Sequence, residues 1–167
     1  MYESIPPYIG FMPDTNGNIR IIATNRKAYH NYIIMEKYEA GLELMGSEVK
    51  SIRQGKVSIQ ESYASVEDDS VWVYSMRISP YEQASFEKHD PDRKKRLLLH
   101  KREIRKLRIK TQERGFTLIP LKLYFKGKLA KIEIGLARGK KLYDKREALK
   151  KREDERRIRR GLRERNR

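Results

Sequence analysis

The sequence predicts a mainly β fold: a small closed barrel carrying one long basic helix and a short helix, followed by a basic C-terminal tail. Three observations predict it. Five or six short segments alternate apolar and polar residues with a period of two. A long pattern of helical period occurs mid-chain, with no strand–helix–strand alternation around it, which excludes a parallel α/β sheet. The chain has 167 residues and no cysteine, so it has the length of one domain and holds together without disulfides.

Residues 1–20 contain Pro6, Pro7, Pro13, Gly10 and Gly17 and are expected to be an unstructured leader. The barrel is expected over 21–137. From Tyr29 to Leu44 the pattern is strand-like: Tyr32, Ile33 and Ile34 form an aromatic and β-branched run, and Ala40, Leu42 and Leu44 alternate with Glu39, Gly41 and Glu43. Gly46-Ser47 offers a turn and an N-cap for a short helix through Val49 and Ile52 that stops at Gly55. Val57, Ile59 and Tyr63 suggest a second strand. Glu67 to Ser70 is a polar turn, and Val71–Ile78 is a third strand with Trp72, Tyr74, Met76 and Ile78 on one face, so the pair reads as a hairpin.

After Asp90-Pro91 a long helix is expected over about 92–113, with Leu97, His100, Ile104 and Leu107 as its apolar stripe and Gly115 as its stop. Two more strands follow, one alternating Ile119, Leu121, Leu123 and Phe125, the other Ala130, Ile132, Ile134 and Leu136, with Gly127 in the turn. Among small barrels this element count fits the oligonucleotide-binding (OB) type. Beyond Ala137 the composition changes. Residues 138–167 hold 15 basic and 6 acidic residues and include Glu-to-basic pairs at i,i+4, such as Glu153–Arg157, yet no continuous apolar stripe. Such a tail is expected to be disordered when free and helical when bound.

The formal net charge is +16, with 38% hydrophobic and 37% charged residues. Segment 93–114 supplies 11 basic against 2 acidic residues, and the tail supplies the rest of the excess; the other 115 residues carry 13 basic and 15 acidic. Basic charge concentrated in this way is the footprint of a polyanion partner. A membrane surface fits poorly, because 147–167 offers only Ala148, Leu149, Ile158 and Leu162 as apolar residues. No apolar run approaches the ~18–20 residues of a membrane span, and the N-terminus lacks a basic segment followed by an apolar run, so a soluble protein of a reducing cytoplasm is expected.

Catalytic and metal motifs are not found. His30, His89 and His100 are widely spaced, no nucleophile elbow occurs, and Gly139-Lys140-Lys141 lacks the spacing of a phosphate-binding loop. No cofactor, no metal and no enzyme activity are expected. Three stretches are more specific: ATNRKAYHNY at 23–32, YEAGLEL to GSEVKSIRQGK at 38–56, and KIEIGLARGKKLYDKRE at 131–147. Arg26, Lys27 and Lys131 suit phosphates, whereas Asn25 and Glu39 suit base edges or 2′-hydroxyls, since a carboxylate repels the phosphate backbone.

These blocks, with ISPYEQ, HDPDRKKRLLLHKREI and LIPLKLYFK in the same order, resemble the small protein B (SsrA-binding) family of bacteria from Ile22 to Arg167. The resemblance implies an OB-type barrel that binds the tRNA-like domain of tmRNA and brings it to stalled ribosomes in trans-translation. It also implies that the barrel stands in for the anticodon arm, while the tail folds as a helix in the empty mRNA channel beside the small-subunit decoding centre. Aminoacylated tmRNA with elongation factor Tu would be an indirect partner, and the chain a monomer. By similarity Asn25, Glu39, Leu98 and Lys131 match tmRNA-binding positions. Arg138, Lys140, Lys141, Asp144, Lys145 and Arg146 match the motif needed on the ribosome; Arg138 is grouped with the RNA contacts, and Tyr143, Lys150, Lys151 and Arg152 with the ribosome-binding tail. Two departures stand out: residues 1–20 carry a single basic residue, Arg20, where the family's start is lysine-rich, and Tyr143 occupies a position where some members carry His. The alternatives are a general ribosome-associated barrel without tmRNA preference, and an RNA enzyme, which the missing catalytic constellation disfavours.

Overall fold

The computed structural model describes residues 19–82 and 89–165; most of the expected leader, residues 1–18, lies outside them. The chain runs β1 (Ile19–Thr24), α1 (Arg26–Asn31), β2 (Tyr32–Leu42), α2 (Gly46–Arg53), β3 (Val57–Ser58), β4 (Tyr63–Glu67), β5 (Ser70–Tyr74), β6 (Arg77–Ile78), β7 (Lys95–Leu98), α3 (Lys101–Gln112), β8 (Phe116–Lys126), β9 (Leu129–Gly139) and α4 (Leu142–Arg165). It is mainly β. The pairings run β8–β4–β5–β7–β2–β9 and return to β8, all antiparallel, so the sheet closes into a ring. Closure depends on the length of β8, whose one edge pairs with β9 along its length. Its other edge is shared between β1, at Lys122–Lys126, and β4, at Leu118.

Inside the ring, Ala40, Leu42, Val71, Val73, Leu97, Leu118, Leu123, Phe125, Ile132, Ile134 and Leu136 make one core with Ile52 of α2 and Ile104 and Leu107 of α3. Full burial of each Val, Leu, Ile or Phe side chain among them is worth about 1.5–3 kcal/mol. A second, smaller cluster lies outside the ring, where Ala28 of α1 packs on Ile119, Leu121 and Ala137. Bulges create it. The register slips between Pro120 and Lys122 on β8 and between Ile34 and Glu36 on β2, so Ile119 and Leu121 face α1 while Leu123 and Phe125 face the main core. The expected single alternating face over 119–125 is therefore split in two. Gly135 is required beneath this crossing, since a Cβ there would lie 3.0 Å from Leu121 and 3.1 Å from Ile34.

Several expectations are corrected. Residues 19 and 20 belong to a strand, because Ile19–Thr24 pairs with β8. Tyr29 does not begin a strand: Asn25 caps α1, and β2 starts at Tyr32. The long helix does not span 92–113, because Lys95–Leu98 is a strand that fills the gap between β5 and β2. Lys95 and Leu97 point inward there. The Lys95 ammonium donates to the Met76 carbonyl at 2.6 Å and the Pro91 carbonyl at 3.1 Å, and burial pulls its pKa below the usual lysine range. The run of cations hides this two-residue period, and the helix starts only after His100, where Glu103 accepts from the His100 backbone N–H at 3.0 Å.

Finally, β5 buries Val71 and Val73 and turns Trp72 and Tyr74 outward. Ser75 has φ +56°, and this left-handed residue shifts the phase so that Met76 and Ile78 are buried again. The hairpin itself has the expected Glu67 to Ser70 turn, with Asp68 and Asp69 at positive φ. Strand β9 runs two residues past Ala137, since Arg138 and Gly139 still pair with Ile33 and Tyr32.

Candidate nucleic-acid interface

The outer face of the ring carries a cross-strand row built by register. Leu98 of β7 lies opposite Gly41 of β2, Gly41 opposite Lys131 of β9, and Lys131 opposite Tyr124 of β8. Glu39 is two residues before Gly41, on the same face, and lies opposite Glu133. Gly41 leaves a gap between Leu98 and Lys131, and any side chain there would meet the Leu98 Cβ at 3.3 Å. Leu98 is 51% exposed, so it stands on the surface rather than packing in a helix stripe. Glu39, Leu98 and Lys131, far apart in sequence, therefore share one patch.

Its electrostatics centre on Glu39. The Tyr124 hydroxyl donates to Glu39 Oε2 at 2.5 Å, while the Lys131 and Lys126 ammonium groups lie 3.6 and 3.8 Å from Oε1. The Tyr124 hydrogen bond, then the two lysines, hold the Glu39 carboxyl below its ordinary pKa. Burial and the same carboxylate push the Tyr124 phenol up. Tyr124 thus stays a proton donor, Glu39 stays an acceptor, and two half-exposed to exposed cations flank them. That set can bind a phosphate and accept from a hydroxyl or amino group within one contact. Tyr124, Lys126 and Gly41 were not singled out in the sequence. The LKLYFK alternation already sets Tyr124 and Lys126 on the face opposite Leu123 and Phe125; the strand registers that bring them to Glu39 are not written in it.

Asn25 lies in the interior rather than on this face. It is 1% exposed, its Oδ1 accepts from the Ala28 N–H at 3.1 Å, and its Nδ2 donates to the carbonyls of Pro120 at 3.0 Å and Ile59 at 3.2 Å. Both ends of its side-chain amide are therefore engaged within the fold. Asn25 instead caps α1 and ties it to β8 and to the segment after β3, which fixes where the exposed Arg26 and Lys27 stand. Lys27 pairs with Glu61 at 2.5 Å. Arg138 is exposed at the end of β9. Lys140 is anchored to α1, its backbone N–H donating to the Asn31 carbonyl at 2.9 Å and its ammonium to the Tyr29 carbonyl at 3.1 Å. Lys141 follows, exposed. Tyr143, Asp144, Lys145, Arg146, Lys150, Lys151 and Arg152 all fall within α4, where Arg146, Lys150 and Lys151 are exposed.

The family model "SmpB protein" matches residues 22–164. The chain belongs to the SmpB family. It is 59% identical to the SsrA-binding protein of Carboxydothermus hydrogenoformans over 86% of this chain and 97% of that one. It is 54% identical to the SsrA-binding protein of Geobacillus kaustophilus over 92% and 98%. A solved chain described as "tmRNA-SmpB: a journey to the center of the bacterial ribosome" superposes with a TM-score of 0.62 at 48% identity, covering 74% of this chain and 86% of that one. Family membership agrees with the blocks that carried the resemblance. Among the described residues no cluster of His, Asp or Glu could hold a metal ion, and no helix is long and apolar enough to cross a membrane.

Proposed function

We propose that this chain is the RNA-binding adaptor of trans-translation, a cytoplasmic monomer without catalytic activity or cofactor. It binds the tRNA-like domain of tmRNA through the outer face of β2, β7, β8 and β9, an OB-type barrel surface, and carries that RNA to stalled ribosomes. The observation that carries this is the convergence of Glu39, Leu98 and Lys131 on one face, beside Tyr124 and Lys126. The ring stands in for the anticodon arm, and aminoacylated tmRNA with elongation factor Tu arrives as its cargo. The tail disorders when free and orders as a helix in the empty mRNA channel, because α4 has cations on every turn and no apolar stripe with which to dock on the ring. Lys140, Lys141 and the α4 residues Tyr143 to Arg146 and Lys150 to Arg152 make the ribosomal contacts.

Replacing one phosphate-binding lysine tests the RNA face. Lys131→Ala weakens binding to the tRNA-like domain and lowers the slope of log affinity against log salt by roughly 0.7–0.9, the share of one phosphate. An unchanged slope would remove Lys131 from the phosphate contacts.

A further inference from the structure

On the ring's other flank, β4, β5 and β7 present a second outer face that the Glu39–Lys131 patch does not use. Three of its side chains are aromatic. Tyr63 and Tyr74 lie opposite each other across the hairpin and stack at 5.3 Å with 13° between ring planes, and Trp72 is two residues from Tyr74 on the same face. Their neighbours Ala64, Val71 and Val73 already serve the core from the opposite side, so the rings are not needed to fill it. Tyr63 remains 48% exposed and offers one ring face to solvent.

Cations are interleaved with these rings. The Lys94 ammonium sits 4.6 Å over Trp72 and 5.7 Å over Tyr74, and Arg96 lies opposite Trp72 on β7. Glu67 holds Lys94 at 3.2 Å and accepts from the Tyr74 hydroxyl. Acids balance the cations here, Glu67 for Lys94, Glu43 for Arg96 and Asp69 for Arg108. A face with rings and little net charge does not select the dense phosphates of a duplex. It selects unpaired bases, each of which offers a π-face to stack on, with the ring-bound cations meeting a few phosphates. Arg96 and Leu98 point outward along β7, so this platform is continuous with the Leu98 end of the first patch.

We propose that Tyr63, backed by Tyr74 and flanked by Trp72, forms a second RNA surface that stacks an unpaired base of single-stranded RNA. It adjoins the face assigned to the tRNA-like domain at Leu98 but uses other residues, and stands or falls separately. Trp72 is the chain's single tryptophan, so its emission reports this face alone, whereas total binding would be dominated by the basic tail. In a titration of the full chain with a short oligoadenylate, Trp72 fluorescence is quenched to saturation. Tyr63→Ala raises the midpoint by about tenfold, the worth of one stacked base. Tyr63→Leu does the same while keeping apolar bulk over Tyr74, so a folding defect in the alanine variant leaves the test intact. Lys131→Ala leaves the midpoint unchanged. Absence of quenching, an unchanged midpoint in Tyr63→Leu, or an equal shift in Lys131→Ala would overturn the proposal. Quenching by an acidic peptide but not by RNA would do so as well, assigning the face to a protein. Binding of the tRNA-like domain to Tyr63→Leu, measured in parallel, shows whether the first face is intact.

Discussion

Two residues show how far a polar side chain's surroundings redefine its task. Asn25 looks in sequence like a base reader, but its amide is surrounded by three backbone carbonyls, of Pro120, Ile59 and Gln60. Asn25→Ala removes a helix cap and orphans buried groups, and thermal or chemical melts should lose about 1–3 kcal/mol. Asn25→Asp keeps the cap oxygen but turns a carboxylate toward those carbonyls. The aspartate variant should therefore be less stable than the alanine variant at neutral pH; the reverse order would mean that capping outweighs the amide contacts. Glu39 is the converse, a strand residue that alternation alone would leave solvated. Only the registers of β2 with β9 and of β9 with β8 bring Tyr124, Lys126 and Lys131 to it.

At the scale of elements, Glu36 pins β2 to α3. It accepts from the ammonium groups of Lys106, at 2.8 Å, and Lys110, and from the Tyr38 hydroxyl at 2.5 Å. Lys106, then Lys110 and Tyr38, lower its pKa from 4.5 to about 2. A depressed carboxylate stabilises the fold fully above its unfolded pKa and loses that contribution as pH falls through the folded one. Stability should thus decline between about pH 4.5 and 2, and Glu36→Gln should flatten that part of the curve in urea melts; an unaltered acid limb would show that the clamp does not couple to folding. The elements legible in sequence were β9, whose alternation is uninterrupted, and the Glu67 to Ser70 turn of the β4–β5 hairpin. The misread ones have identifiable causes. A buried lysine hid β7 inside a basic run, Ser75 reset the phase of β5, and the bulges in β2 and β8 moved Ile34, Ile119 and Leu121 to an outer cluster under α1. None of these depends on local propensity; each is set by closure of the ring.

For the whole molecule, the two basic segments divide their work. Much of the 93–114 charge is neutralised within the body: Arg93 pairs with buried Glu48, and Lys94, Arg96, Lys106, Arg108 and Lys110 each meet a carboxylate. The charge of α4 remains on an exposed helix. Truncation after Lys141 keeps all of β9 and the Lys140 anchor on α1, and should leave affinity for the tRNA-like domain within about threefold while abolishing peptide tagging on stalled ribosomes; a large loss of affinity would make the tail a primary RNA anchor. The central claim, that the Glu39–Leu98–Lys131 face selects the tRNA-like domain of tmRNA, is tested most directly by competition. The full chain is titrated with that domain in the presence of bulk tRNA and ribosomal RNA fragments at fixed salt. The domain should bind at least about tenfold more tightly than either competitor, and equal affinity for all three would contradict the claim and leave a general ribosome-associated barrel.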